Sequence, residues 1–427
     1  MSATPIDRSA LMHNYAEPPV TFVRGEGACL FDVDGKRYLD FLSGLAVTSL
    51  GHAHPVVAEA IAEQARTLMH VSNLFGNAIG PEVAVTIDRL IGGGSERAGG
   101  QVFFGNSGAE ANECALKLAR RWAGPGRFGV VATWDAFHGR TMATLAATGQ
   151  TDKQTAFLPM LQGFDHVPFD DLDAMETACD PDRVGAVILE PILGEAGVMV
   201  PSSDYLAGVR QVCTDRNILL IMDEIQTGLG RTGRWFGFQH LGIEPDIVTM
   251  AKALGNGMPV GACWARAEVA AAFVPGDHGS TFGGQPLAMS AARATLGVME
   301  AENVPERARQ AGQKLATGLA ALPNVRAVRG EGLLLAAELT GEFAPAACRA
   351  ALDAGLVVNA PRPDSLRLAP SLLVTDGEID EALSVLGQVL GTMPADADAT
   401  ASMPTDADPT ATPTPTPTAT PPDAKHP

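Results

Sequence analysis

One lysine stands alone in the stretch "DIVTMAKALGNGMP", residues 246–259. The apolar run Ile247 to Met250 leads directly into Lys252, and a loop with Gly255, Asn256, Gly257 and Pro259 follows. Two other apolar runs also finish on charge: Glu190 in "VILEP", and Asp223 and Glu224 in "LLIMDE". Charges gather wherever a strand end meets solvent, and a single run of this kind would mean no more than that. Three in one sheet, two acidic and one basic, point to a shared cleft, because ligands of an open parallel sheet sit beyond the carboxyl ends of its strands. A lysine desolvated near other cationic groups loses proton affinity and becomes a nucleophile. Its characteristic use is condensation with an aldehyde. Asp223 would then partner a second cation, such as the protonated ring nitrogen of a pyridoxal cofactor.

A ring of that kind also needs a phosphate anchor. In "GNSGAEANE", 105–113, Gly105 and Gly108 flank Asn106 and Ser107 between a strand-like run and a helical one. Free N–H groups and the dipole at a helix start hold a phosphate. Ser107 and Glu110 read equally well as an ordinary capping box. No G-K-[ST] ending follows, so the segment is not a P-loop, and the Rossmann glycine spacing is absent.

These groups need a scaffold. From about 100 to 265, strand-like runs ("QVFFG", "FGVVAT", "VGAVILEPI", "ILLIMDE", "DIVTM", "VGACWA") alternate with helical ones ("AEANECALKLARRW", "RTMATLAAT", "SDYLAGVRQVCTDR"). The alternation predicts a mostly parallel sheet covered on both faces. Ahead of it, "CLFDV" and "KRYLDF" flank Asp34-Gly35 as a hairpin, and residues 55–70 show helical periodicity with a proline at the start. After about 286, two helical stretches lead to strands near "GLLLAAEL", "GLVVNA" and "LRLAP" and a last helix near 376–390. The expected fold class is α/β: a large domain with a mostly parallel sheet, plus a smaller α+β domain. The expected division is an N-terminal segment 1–60 packing with the small domain, a large domain 61–285, a small domain 286–392 and a Thr/Pro/Asp-rich tail 393–427. The tail has too few large apolar residues to offset its ordering entropy, so it is read as disordered.

With 427 residues, 46% hydrophobic and 19% charged, the chain has material for a sizeable core. Its net charge of -19 argues against a nucleic-acid groove. That charge does not disfavour small anionic substrates, because a few arginines can dominate inside a cleft. No apolar run approaches a membrane span, and the first residues lack a basic-then-apolar leader pattern. Cys29, Cys114, Cys179, Cys213, Cys263 and Cys348 are scattered with no C-x-x-C pair, which suits reduced thiols. The expected location is therefore the cytoplasm, with neither nucleic acid nor membrane as partner. His52 and His54, two apart before a proline, read as a turn rather than a metal pair, and no metal is expected. Arg231, in "GLGRTGR", is read as holding its loop or a subunit interface rather than as catalytic.

Taken together, the blocks "GLAVTSLGHAHP", "FFGNSGAEANECALKLAR", "AFHGRT", "ILEPILGEAGV", "MDEIQTGLGRTG", "AKALGNGMPVGA", "GSTFGGQPLA" and "LRLAPSLLVT" are similar to those of the class III (ω-amino-acid) aminotransferase family. The resemblance runs from about 15 to 390 and is strongest to the acetylornithine aminotransferases. It implies fold type I, pyridoxal 5′-phosphate as cofactor, and a homodimer with active sites at the interface. By the same resemblance, Lys252 attaches the cofactor and moves the proton, Asp223 pairs with the ring nitrogen, and Gln226 lies near the ring oxygen. Ser107, Gly108 and Ala109 cradle the phosphate, and Phe137 stacks on the ring with His138 beside it. Thr281 reaches the phosphate held by the other subunit and Ser280 the substrate.

The resemblance also assigns Arg140 to the carboxylate far from the reacting nitrogen and Arg367 to the α-carboxylate of glutamate or 2-oxoglutarate. Glu195 pairs with Arg367 while the ω-amine is bound and releases it in the other half-reaction. Leu45 stands where ornithine aminotransferases tend to carry tyrosine, which suits a blocked, N-acylated donor. Gln285 stands where asparagine is commoner. The implied reaction moves the δ-amino group of N2-acetyl-L-ornithine to 2-oxoglutarate, giving N-acetyl-L-glutamate 5-semialdehyde and L-glutamate, a step of arginine biosynthesis. The rival readings are an aminotransferase for succinylornithine, ornithine, 4-aminobutyrate or a lysine-pathway amine, a pyridoxal phosphate aminomutase, and a non-catalytic pyridoxal phosphate-binding protein.

Overall fold

Every residue of the runs 184–189, 219–223 and 247–250 is buried in the computed structural model, which describes residues 9–394. The expected tail lies, from 395 onward, outside the described residues. Strands β1 (Phe22–Glu26), β2 (Cys29–Asp32) and β3 (Arg37–Asp40) form an antiparallel meander. The turn between β2 and β3 uses Gly35 at φ 84, and Asp32 Oδ1 accepts from the amides of Asp34 and Lys36.

The main sheet contains β4 (Gly100–Gly105), β5 (Gly129–Thr133), β6 (Phe164–Val167), β7 (Val184–Leu189), β8 (Leu219–Asp223), β9 (Ile247–Met250) and β10 (Gly261–Arg266). Its order is β4-β10-β9-β8-β7-β5-β6. Pairs from β9 through β6 are parallel, and β10 runs antiparallel to both neighbours. The strands alternate between two cores. Val131, Val187, Leu189, Leu220, Met222 and Val248 face one. Val130, Ala132, Ala186, Ile188, Ile221 and Ile247 face the other, against Cys114, Ala115 and Leu118 of the helix Gly108–Ala123. Because both faces are covered, these strands read in sequence as continuous apolar runs. Edge strand β6 differs: it carries Asp165 and His166 and is not among the strand-like runs of the sequence. Only four residues long and partly exposed, it offers no apolar run to read.

Next come β11 (Val325–Glu331), β12 (Leu334–Leu339), β13 (Leu356–Val357), β14 (Asn359–Arg362) and β15 (Ser365–Leu368). Four of them make an antiparallel sheet in the order β11-β12-β15-β14. The fifth, β13, pairs in parallel with β3, Leu356 opposite Leu39, so the N-terminal meander gains its last strand from late in the chain. Arg231 fastens the same regions together. It is 1% exposed and donates to the carbonyls of Leu333 and Pro370 and to Ser49 Oγ. Among the described residues, no helix is long and apolar enough to cross a membrane.

Candidate active site

The carboxyl ends of three parallel strands converge. Glu190 follows β7, Asp223 ends β8 and Lys252 lies two residues past β9, and all three line one cavity of about 400 Å³. That volume suits a cofactor with a small substrate. Lys252 adopts φ 37, a left-handed conformation uncommon for a side-chain-bearing residue. Its Nζ makes no hydrogen bond or ion pair with another described residue. Burial lowers its pKa; Glu195 opposes that and Arg367 reinforces it, while Glu190 and Asp223 weigh weakly against.

Asp223 is 3% exposed and fully engaged. Its Oδ2 accepts from Asn112 Nδ2 at 2.8 Å and lies 2.8 Å from His138 Nδ1, and its Oδ1 accepts from the amide of Ile225 at 3.1 Å. Asn112 is itself fixed, donating to the carbonyl of His138 and accepting from Thr249 Oγ1 at 2.7 Å. These contacts hold the carboxylate in place at the end of β8. Glu190 accepts from the amides of Phe137 and Gly194, and burial pushes it up to about 7. Glu224, also pushed up to about 7 by burial, accepts from Thr227 Oγ1 and the amides of Gly237 and Phe238, and so holds the loop beyond β8.

At the other end of the cavity, β4 delivers the chain into the helix Gly108–Ala123. Half of the capping box read in "GNSGAEANE" forms there. Ser107 Oγ accepts from the amide of Glu110 at 3.2 Å, while Glu110 reaches back to the amide of Asn106 rather than to that of Ser107. The amides of Gly108 and Ala109, first in the helix, have no acceptor within it, and both residues line the cavity. The turn is packed tightly enough to need glycine twice. A Cβ on Gly108 would sit 2.7 Å from Ile225 Cδ1, and one on Gly261 would sit 2.1 Å from the carbonyl of Ser107.

Phe137, His138 and Gln226 also line the cavity, as does Arg140, whose exposed guanidinium stands 5.6 Å from the Phe137 ring centroid. Glu195 and Gln226 form one wall, and Arg367 lies behind them, 1% exposed and absent from the lining. Arg367 Nη1 donates to Glu195 Oε1 at 2.6 Å, the carbonyl of Gly194 at 3.1 Å and Gln226 Oε1 at 3.2 Å. Its Nε donates to Asn359 Oδ1 at 3.1 Å, and its buried Nη2 has no partner. Burial works to raise the Glu195 pKa, but the adjacent Arg367 outweighs it and holds the carboxyl below its usual range.

Besides Arg367, three of the sequence-derived residues do not line this cavity: Leu45, Ser280 and Thr281. Leu45 is 40% exposed and sits in a left-handed turn, Ser43 to Ala46, with φ between 51 and 70. Asp40 holds that turn by accepting from the amides of Leu42 and Ser43, and its other oxygen lies 2.8 Å from His52 Nε2. It is Val47, two residues on, that reaches the lining. Ser280 Oγ accepts from the amide of Gly283, and Thr281 is exposed. Gln285 bridges the amide of Val71 and Asn73 Oδ1. The sequence reading missed Asn112, Thr249 and Asn359, which act through other side chains. Their only signal was polarity within otherwise apolar runs.

A family model for class III aminotransferases matches residues 10–390. The chain is a class III aminotransferase. Members of the class depend on pyridoxal phosphate, and the residues of this aminotransferase fit that group: a buried lysine with no partner among the described residues, a buried carboxylate held by three neighbours, and helix-start amides without an acceptor in the helix, all in one cavity. The aminotransferase is 47% identical over 398 residues to an acetylornithine aminotransferase of Gloeobacter violaceus, covering 91% of this chain and 98% of that protein. It is 47% identical over 385 residues to one of Mycobacterium bovis, covering 90% and 94%. Among solved structures it resembles ornithine aminotransferase from Toxoplasma gondii, with TM-score 0.84 and 35% identity, covering 90% of this chain and 93% of that one. It also resembles acetylornithine aminotransferase from Elizabethkingia anophelis, with TM-score 0.79 and 32% identity, covering 90% and 97%. A larger cleft of about 1310 Å³ lies between the loop 232–244 and the helix Val304–Ala320 of the aminotransferase, away from Lys252 and Asp223.

Proposed function

We propose that this class III aminotransferase transfers the δ-amino group of N2-acetyl-L-ornithine to 2-oxoglutarate, as a step of arginine biosynthesis. The relatives at 47% identity named for acetylornithine support the donor. The observation that carries the reading is the Arg367–Glu195 pair behind the cavity wall, because it addresses the problem the reaction sets. One donor presents an ω-amine with no carboxylate beside it; the other, glutamate, presents an α-amine that has one.

Pyridoxal phosphate, when bound, supplies an aldehyde that condenses with amines and a ring that draws electron density from the carbon bearing the amine. The residues that would hold it are Lys252 at the aldehyde, Asp223 at the ring nitrogen, Gln226 near the ring oxygen, and Ser107, Gly108 and Ala109 at the phosphate. Phe137 covers a ring face, and His138 fixes Asp223 from behind. Lys252 Nζ, its pKa lowered by burial, takes and returns the proton at the substrate's amine-bearing carbon. Arg140 binds the carboxylate remote from the reacting nitrogen. With the ω-amine in place, Glu195 keeps Arg367 paired, since an unpaired buried guanidinium is costly. With glutamate or 2-oxoglutarate, the α-carboxylate takes over that role through a bidentate contact of roughly 1.5–3 kcal/mol.

Ser280 and Thr281 serve the cavity of a second copy in a homodimer. The loops that would meet it are bound to each other, Asn73 Nδ2 donating to the carbonyls of Ser280 and Gly283, and they expose Leu74, Phe75 and Phe282. An amine-donor panel with 2-oxoglutarate, scored by kcat/KM, tests the reading. N-acetylornithine should exceed ornithine by at least about tenfold, the scale of one lost hydrogen bond or apolar contact in a pocket. Equal use of free ornithine, or no glutamate formed, would contradict it.

A further inference from the structure

A guanidinium can receive a carboxylate on either of two edges, the terminal Nη1/Nη2 edge or the lateral Nε/Nη2 edge. In Arg367 the lateral edge is already taken. Asn359 stands directly opposite Arg367 in the β14–β15 pair, and its Oδ1 accepts from Arg367 Nε at 3.1 Å. The carbonyl of Gly194 holds Nη1 at 3.1 Å from the other side. A Cβ on Gly194 would lie 2.0 Å from Gln226 Oε1, so a side chain there would displace that amide from Arg367. Asn359 and Gly194 both leave the guanidinium fixed when Glu195 moves. Gln226 Oε1 also accepts from Nη1, at 3.2 Å, so moving Glu195 takes away one of its three acceptors, beside the unpartnered, fully buried Nη2.

We infer that Asn359 is a positioning residue for the dicarboxylate half-reaction. It occupies the lateral edge of Arg367, so that the α-carboxylate of glutamate or 2-oxoglutarate docks on the terminal edge vacated by Glu195. The inference rests on the aminotransferase reading above and adds to it the residue that sets the angle of approach. Asn359 does not line the cavity and acts through Arg367, so its removal acts on one half-reaction only. The ω-amine donor leaves Arg367 with Glu195 and does not use the terminal edge.

The test uses the full-length holoenzyme. Asn359→Leu removes the acceptor at similar volume; Asn359→Asp, of the same size, keeps the acceptor but cancels the charge of the guanidinium and guards against a folding failure of the first variant. Glutarate binding is measured by calorimetry, and the two half-reactions are followed separately by the cofactor's absorbance. Asn359→Leu should weaken glutarate binding and raise KM for 2-oxoglutarate by about tenfold, the scale of one hydrogen bond to a charged group. Asn359→Asp should weaken glutarate binding as well. In both variants the N-acetylornithine half-reaction should change by less than about twofold, a tolerance usual for sites outside the contact. Equal losses in the two half-reactions, or unchanged glutarate binding in both variants, overturn the inference while the aminotransferase reading stands. A wild-type enzyme that binds no dicarboxylate and takes no 2-oxoglutarate overturns both.

Discussion

Arg367 and Glu195 form a closed pair: Nη1 and Oε1 are 2.6 Å apart, the guanidinium is 1% exposed, and only the glutamate reaches the cavity. In this arrangement the arginine is hidden from any ligand until the glutamate moves. On the function proposed above, this is the arrangement that suits a donor without a carboxylate beside its amine.

Glu195→Ala breaks the closed state. The unpaired guanidinium then disfavours the ω-amine donor and welcomes glutamate. Single-turnover measurements should show the N-acetylornithine half-reaction slowed by about tenfold or more, the scale of a lost buried charge partner, with the glutamate half-reaction unchanged or faster. Equal loss in both would remove the switch from the account.

Asn112→Leu tests the support beneath Asp223. The variant deletes one of three donors to that carboxylate and strands Thr249 Oγ1, which donates to the same amide. A carboxylate that loses a fixed donor is held less firmly in its orientation. Cofactor affinity, read by titration of the apo form, should fall by about tenfold, the scale of one hydrogen bond to a charged group. A lower melting temperature with unchanged cofactor affinity would leave Asn112 a packing role only.

Lys252 carries a linkage prediction for the apo form. Its folded-state pKa is lowered by burial, so between that value and the unfolded value of about 10.4 the unfolded chain binds more protons, and stability rises with pH. Lys252→Met removes the penalty. At neutral pH the apo variant should melt about 1–2 °C above apo wild type, the gap closing as pH approaches 10. A variant that melts lower at neutral pH would contradict the assigned shift.

Arg231→Lys keeps a charge but not the fork that spans Leu333, Pro370 and Ser49. Its burial is severe enough to push the guanidinium down to about 9. The replacement should cost at least about 2 kcal/mol in denaturant unfolding, because a shorter cation leaves buried carbonyls unpaired. An unchanged midpoint would mean that the link between these regions is made elsewhere.

Legibility followed the range of the interactions. Runs such as "VILEP" and "LLIMDE" betrayed β7 and β8 because parallel strands buried on both faces must be apolar throughout, and the charge closing each run marked the cleft. Edge strand β6 was not legible, since half its residues are polar and it is only four long. The pairing of β13 with β3 joins residues more than 300 apart, and no local pattern encodes that register. Within the site, Lys252, Asp223 and the Ser107 turn were legible because each sits at an element boundary where chemistry and local geometry coincide. Asn112 and Asn359 were not, because each matters only through a side chain distant in sequence, Asp223 and Arg367 respectively. Nor was the left-handed turn that carries Leu45, a residue absent from the cavity lining. That turn depends on Asp40 and His52 acting across the segment.

The central claim is that Lys252 holds the cofactor covalently. Borohydride reduction of the holoenzyme, followed by proteolysis and mass spectrometry of the peptides, tests it directly. The account predicts one pyridoxyl-modified peptide, with the label on Lys252, and none in the Lys252→Met variant. A label on another lysine, or no stable label in a protein that still performs transamination, would contradict it.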